Sequence, residues 1–359
     1  VRIKAERDDL ADVLSRAGRA IGTRSPLPVL QGLLLTVSGS QLQVTGTDLD
    51  VTVRTEIEVE VVDEGTSVVP GRLATEAVRK MPAGAIDVAT GDGEVEITGS
   101  GPQFRFRELP VADFPQLPDV VIDDEVKLNG DVFADALGQV CVAASGDDAR
   151  PVLTGVYFES EEGHLRLVAT DSYRLAVRDV AGVKTGISGL VPVRALRDLG
   201  RTVGGKKLVV GIGAREAKIS SDRGSLTARL IEGTFPNYRQ LIPESYPSRL
   251  TIKRDELLEA IDRASLVAED HIPVRLQLQE GGVELSVSRQ DVGGESEHVD
   301  ADYKGEEMTI AFNSRYLNDG VVAVDDEEVV IDVSDPLKPG VISGAKTTDF
   351  LYLLMPVRL

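Results

Sequence analysis

The residues able to do acid–base, nucleophilic or metal chemistry are few in this chain of 359 residues, and their spacing does not suit it. The three histidines, His164, His271 and His298, stand too far apart in sequence for an HExxH pair or a short metal-ligand spacing. Cys141 is the one cysteine and lies inside the apolar run QVCVAA, which reads as a buried inert thiol and not as a nucleophile. The segment GGKKLVVGIG, 204–213, holds a Gly-x-Gly but lacks a third glycine and a following helix signal, and no Walker sequence occurs. Asp48 and Asp171 are the carboxylates a catalytic reading would choose. Both sit at equivalent turns, in TGTDLD and VATDSY, which favours a turn or cap role.

Composition sets further bounds. A formal net charge of −20, with 42% apolar and 27% charged residues, describes an ordinary globular chain that repels nucleic acid at long range. Any role on DNA therefore needs charges sorted by face, or a way of holding that does not depend on a tight grip. A single cysteine allows no intrachain disulfide and fits a reducing cytoplasm. Charges throughout Val1–Leu14 are unlike a signal peptide, and no apolar stretch approaches membrane length. The chain nevertheless ends on YLLMPVRL, where polar, frayed residues are usual. Too short to span a bilayer, this run must be a core strand or the wall of a pocket.

The elements that position these residues repeat three times. RDDLADVLSRAGRAI (7–21), GDVFADALGQVCVAA (130–144) and RDELLEAIDRASLVA (254–268) share one helical pattern, with Leu10, Phe133 and Leu257 spaced 123 and 124 residues apart. VVPGRLATEAVRKM, LVPVRALRDLGRTV and IAFNSRYLNDGVVA each run from an apolar strand into a second helix, expected at 72–81, 194–203 and 314–323. Asp48 and Asp171 lie 123 apart, and Phe114 and Phe235, in DFPQLP and TFPNYRQLIP, lie 121 apart. Alternating runs between the helices read as antiparallel strands joined by Gly/Asp turns. The expected fold is α+β: three tandem modules of about 120 residues, each two helices packed on antiparallel sheet. Pro/acid-rich stretches near 118–124 and 243–247 give domains 1–118, 119–244 and 245–359.

This threefold repeat, with VATDSYRLAV, EGTFPNYRQLIP and the terminal LLMPVRL, resembles the bacterial DNA polymerase III β sliding clamps over the whole chain. The resemblance implies a non-catalytic processivity factor without a cofactor. It implies a head-to-tail homodimer, closed into a six-domain ring around duplex DNA of any sequence. The implied partners are the replicative polymerase α subunit, the clamp loader, and other polymerases and repair proteins carrying clamp-binding peptides; no membrane is involved. Topological linkage with weak phosphate contacts suits an acidic tether that must slide. Composition alone leaves open an acidic peptide-binding scaffold not linked to DNA.

By family position, Arg24, Arg72, Arg150 and Arg194 face DNA. On helix 7–21 the face opposite Leu10, Val13, Leu14, Ala17 and Ile21 offers Arg16 and Arg19, diluted by Asp8 and Asp12. Arg79, Lys80, Arg197, Arg201 and Arg315 are further helix cations. The competing reading makes these arginines solvated or internally paired. Pro151-Val152 follows Arg150 where some clamps carry aromatic residues.

The implied client cleft comprises Leu153, Thr170, Ser172, Tyr173, Arg174 and Leu175, then Pro236, Gln240 and Leu241. It is completed by Tyr316, Leu337, Pro339, Leu353, Leu354, Met355, Pro356, Val357 and Arg358. Met355 suits a pocket for varied clients. Two or three anchors at ~1.5–3 kcal/mol each, offset by association costs, give affinity of about micromolar order. Ser172-Tyr173 stands where Gly-His is common in clamps, and Gln240 where a basic residue is common.

For the dimer seam, QFRFREL offers an edge strand with Phe104 and Phe106 on one face and Arg105 and Arg107 on the other. Leu266 and Val267, with Glu295 and Glu297, are the expected counterparts. The alternative is an inner strand whose Phe104 and Phe106 fill their own core.

Overall fold

The computed structural model describes residues 1–22, 27–117, 120, 122, 124–161, 163–183, 186–268 and 272–358. Among them the helices are α1 (Arg7–Gly18), α2 (Gly71–Lys80), α3 (Gly130–Cys141), α4 (Val193–Leu196), α5 (Leu199–Thr202), α6 (Arg254–Ser265) and α7 (Ser314–Val322).

The repeat is visible residue by residue. Strands Arg2–Glu6, Glu125–Asn129 and Ser248–Lys253 lead directly into α1, α3 and α6. Alternation buries Ile3 and Ala5 in the first, Val126 and Leu128 in the second, Leu250 and Ile252 in the third. Each helix then buries one stripe at i, i+3, i+4 and i+7. The stripes are Leu10, Val13, Leu14 and Ala17; Phe133, Ala136, Leu137 and Val140; and Leu257, Ala260, Ile261 and Ala264.

Two helix expectations change. The leading helices stop about three residues early, because the chain tightens into i→i+3 turns that satisfy the last carbonyls. The N–H of Ala20 donates to Ala17 O at 3.1 Å, Ala143 to Val140 O at 3.0 Å, and Val267 to Ala264 O at 3.1 Å. The helix expected at 194–203 is instead two four-residue pieces, α4 and α5. Asp198 separates them at φ −108° and ψ 18°. The sequence that follows, LGRTVGG, is made largely of weak helix formers.

The chain divides into two compact units, one of Val1–Ala134 with Arg194–Leu230, the other of Asp135–Val193 with Ile231–Leu359. The middle repeat is shared between them. Among the described residues every strand pair is antiparallel.

In the first unit an eight-stranded sheet joins two repeats, because Val51–Glu58 pairs with Gly224–Arg229. A five-stranded sheet beside it ends on Gln103–Arg107. In the second unit a nine-stranded sheet also joins two repeats, here through Arg174–Ala181 paired with Phe350–Leu354. Its companion four-stranded sheet ends on Gly293–Asp300. Gln103–Arg107 holds, in its own repeat, the place that Gly224–Arg229 and Phe350–Leu354 hold in theirs. Gly293–Asp300 likewise holds the place of Val51–Glu58 and Arg174–Ala181. Two such junctions are made within the chain, and one half of a third is left open at each of these edges.

Candidate functional site

Two turns with the same wiring launch the junction strands. Thr47 Oγ1 donates to Val51 O at 3.0 Å, and Thr170 Oγ1 donates to Arg174 O at 2.7 Å. The same hydroxyls accept the N–H of Leu49 and of Ser172. Asp48 Oδ1 accepts from the N–H groups of Asp50 and Val51, and Asp171 Oδ1 from those of Tyr173 and Arg174. Leu49 and Ser172 lie at φ 82° and 81°, a left-handed conformation that costs a non-glycine residue energy and that these paired hydrogen bonds hold. The two aspartates are turn-builders, as their repetition suggested, and neither stands poised for catalysis.

The second turn carries more than the first. Arg174, only 7% exposed, donates from Nε to Asp171 Oδ2 at 3.0 Å and from Nη1 to Asp319 and to the Tyr352 hydroxyl. Its guanidinium lies 4.2 Å from the ring centre of Tyr316, a cation–π contact, and the Tyr352 hydroxyl donates to Tyr316 O at 2.8 Å. Burial works against the charge on Arg174. The Tyr352 hydroxyl, Asp319 and Asp171 outweigh it, so the group is held above the ordinary arginine value. Tyr352, fully buried, is pushed up by that burial. The result is a rigid charged floor beneath an exposed aromatic, since Tyr173 faces Tyr316 with ring centres 6.4 Å apart.

The terminal run begins as a core strand. Phe350–Leu354 is an inner strand of the nine-stranded sheet, set between Arg174–Ala181 and Gly340–Gly344. Leu353 stands opposite Leu175 and Val341, and packs with Val168, Val177 and Tyr238. Tyr352 and Leu354, on the other face, are completely buried. Beyond the strand the N–H of Met355 donates to Tyr173 O and that of Val357 to Ala311 O. Here the chain leaves the core: Met355 is 40% exposed, as are Tyr173 at 59%, Leu241 at 48% and Leu337 at 64%. Such large apolar side chains left in water are the usual sign of a recognition surface.

Comparison with known proteins gives the family. The N-terminal, central and C-terminal domains of DNA polymerase III beta subunits match residues 1–118, 127–237 and 239–358. The beta sliding clamp of Streptomyces coelicolor is 35% identical over the whole of both chains, and a beta sliding clamp homolog of Streptomyces muensis, GriR, is 32% identical over 100% of this chain and 99% of that one. The chain belongs to the beta sliding clamp family. A solved clamp from Bartonella birtlesii, bound to griselimycin, is 29% identical and superposes with a TM-score of 0.94 over 100% of this chain and 99% of that one. The chain is thus a processivity factor of DNA polymerase III, a non-catalytic subunit whose family implies DNA and polymerase as partners. Among the described residues no helix is long and apolar enough to cross a membrane, and no group of His, Cys, Asp and Glu is arranged to hold a metal.

Within this clamp the residues expected to line the client cleft, all in the second unit, fall into two classes. Leu153, Thr170, Arg174, Leu175, Leu353 and Leu354 are buried. Ser172, Tyr173, Pro236, Gln240, Leu241, Leu337, Met355 and Arg358 are exposed, with Tyr316, Pro339, Pro356 and Val357 half-buried. Asp319 and Tyr352 were not singled out from the sequence, although both hold Arg174. Asp319 lies three residues after Tyr316 on one face of α7, a spacing that a helical reading makes available.

The arginines expected to face DNA differ in how they are held. Arg24 lies outside the described residues. Arg72 is exposed in the first turn of α2. Arg150 pairs with Asp147 and donates to Ser172 Oγ, both at 3.1 Å. Arg194 is clasped by Asp48 and Asp50. Arg16 is a correction: it is not on an exposed face but 5% exposed. Its Nε donates to Thr202 O at 2.7 Å and its Nη2 to Val203 O at 3.3 Å, closing the C-terminal end of α5.

At the edge strands, Phe104 and Phe106 are half-buried against the first unit's core and stack with ring centres 6.1 Å apart. Arg105 and Arg107 are exposed. Leu266 is 86% exposed, with Val267 half-buried beside it. Glu297 takes both Nε and Nη2 of Arg263 at 2.8 and 3.0 Å. Burial pushes the Glu295 carboxyl up, and Glu297 adds to the shift.

Proposed function

We propose that two copies of this clamp chain join head to tail into a closed ring of six similar domains, 1–118, 119–244 and 245–359 in each, which encircles duplex DNA and slides along it. The polymerase α subunit, the clamp loader, and other polymerases and repair proteins dock by short peptides in the cleft around Tyr173, Leu241, Leu337 and Met355. The observation that carries the reading is the pair of open edges. An unpaired edge strand is a template for another chain. Here each open edge is the counterpart of a strand already paired elsewhere in the chain. Leu226 stands opposite Val53 and Tyr352 opposite Ala176 at the two internal junctions. The same register sets Phe104 opposite Glu295 of a second copy, with Arg105 and Arg107 beside an acidic strand. Leu266 and Val267 add apolar contact.

A ring explains how a chain of net charge −20 works on DNA. Topology holds it, while Arg24, Arg72, Arg150 and Arg194 supply weak, sequence-neutral phosphate contacts. Arg150 and Arg194 reach DNA by exchanging exposed ion pairs, which are individually worth little.

The test is loading onto DNA. With a clamp loader and ATP, the protein is expected to remain on nicked circular DNA and to run off once the circle is linearised. Equal retention on both forms would point to ordinary affinity binding and remove the ring. A protein that binds client peptides but is never retained on the circular form would favour the scaffold reading.

A further inference from the structure

The internal junctions share a lock that has no counterpart at the open edges among the described residues. At the first, Arg16 of α1 reaches 186 residues along the chain to the carbonyls of Thr202 and Val203 at the end of α5, and also to the Arg223 carbonyl. At the second, Gln139 of α3 reaches 184 residues along the chain, its Nε2 donating to Ala323 O at 2.7 Å, the residue that ends α7, and to Asp325 Oδ2 at 3.1 Å. Arg16 and Gln139 occupy one position of the repeat, six residues after Leu10 and Phe133. Val203 and Ala323 also occupy one position. In each case the donor is buried and its acceptors include carbonyls at the end of a helix, which have no partner inside it. The donor's identity has changed while the contact has been kept.

The third member of the series is Arg263, six residues after Leu257. No helix end meets it within the described residues: its side chain is half exposed, with Nε and Nη2 on Glu297 and Nη1 3.6 Å from Glu259. The matching acceptors are Lys80 and Met81, which end α2. The N–H of Met81 donates back to Ala77 O and Val78 O, and the carbonyls of Lys80 and Met81 are the ones that an outside donor would close. Cations in that turn are no obstacle, because α5 carries Arg201 in its own last turn and still receives Arg16.

We infer that Arg263 of one copy donates through Nη1 to the Lys80 and Met81 carbonyls of a second copy, as the latch that closes each seam of the ring. This rests on the head-to-tail dimer proposed above and adds to it a specific residue. The helix C-terminus favours a cation at that point. Glu297 already holds the guanidinium through Nε and Nη2, so that less side-chain freedom remains to be lost on docking.

Cross-linking tests the geometry and subunit exchange tests the strength. A chain with Cys141→Ala, Arg263→Cys and Lys80→Cys, treated with a short bismaleimide, is expected to give a covalent dimer that the chain lacking Lys80→Cys does not give. Arg263→Ala is expected to speed exchange between differently labelled dimers about a hundredfold, about tenfold for the charge-assisted hydrogen bond lost at each of the two seams, with an unchanged melting temperature. Arg263→Gln, which restores the donor found at the second junction, is expected to exchange close to the wild-type rate. A protein that sediments as a dimer but gives no cross-link, or exchanges equally fast as Arg263→Ala, overturns the latch and leaves the ring standing. A wild-type chain that sediments as a monomer overturns both.

Discussion

The backbone N–H of Met355 donates to the carbonyl oxygen of Tyr173 at 2.9 Å, so the segment that follows the strand Phe350–Leu354 is tied to the turn built by Asp171. An exposed thioether and an exposed phenol are thereby held side by side by backbone, not by each other's side chains. In the proposed client cleft this backbone tie would lower the ordering cost of binding.

Removing residues 355–359 therefore tests the proposed cleft separately from the core. The strand Phe350–Leu354 stays in the sheet, while the bonds to Tyr173 O and Ala311 O are lost at about 1 kcal/mol each. Client-peptide affinity, read by fluorescence anisotropy, should fall at least about tenfold, with the dimer intact. Unchanged affinity would show that the cleft lies elsewhere.

The twin turns give a paired comparison. Asp48→Ala loses the bonds to two backbone N–H groups and a place on the surface pair with Arg194, a cost of about 1–2 kcal/mol. Asp171→Ala also strips one carboxylate from buried Arg174 and should cost about 2–4 kcal/mol. Urea melts that rank the two in the opposite order would contradict the buried-charge account.

Gly320 packs against Tyr352: a Cβ there would lie 2.5 Å from the ring carbons. Helix propensity alone makes Gly→Ala favourable by about 1 kcal/mol. Overpacking should win, with Gly320→Ala destabilising by about 1–3 kcal/mol and the smaller ring-free Tyr352→Leu relieving part of that in the double variant. A stabilising Gly320→Ala would mean that α7 rides further from the strand than this packing requires.

Glu295 sets a pH dependence. Its carboxyl is raised by burial and by Glu297, so the folded chain holds that proton to higher pH than the unfolded chain does. Stability from this group is then greatest at low pH and declines as pH rises through the folded value. Thermal melts of Glu295→Gln should exceed wild type at neutral pH, and the gap should close as the pH drops below the ordinary carboxylate range. A gap independent of pH would assign the effect to something other than ionisation.

Local pattern carried a large part of this protein into view. The threefold period, the buried stripes of α1, α3 and α6, the alternation of Phe104 and Phe106, and the Asp48 and Asp171 turns all depend on neighbours within about one helical or strand repeat. Spacing alone registers such neighbours.

What only the tertiary structure decided involves partners far along the chain. Arg16 looks like a surface cation on a helical wheel and is instead buried on carbonyls 186 residues away. Asp319 and Tyr352 meet Arg174 only because Phe350–Leu354 inserts beside Arg174–Ala181. Leu175 and Leu353 are buried together because the sheet brings them opposite one another. A side chain's charge and period state what it can do. Which carbonyl or ring it finds depends on how distant strands are paired, and that pairing is settled by packing across the whole sheet.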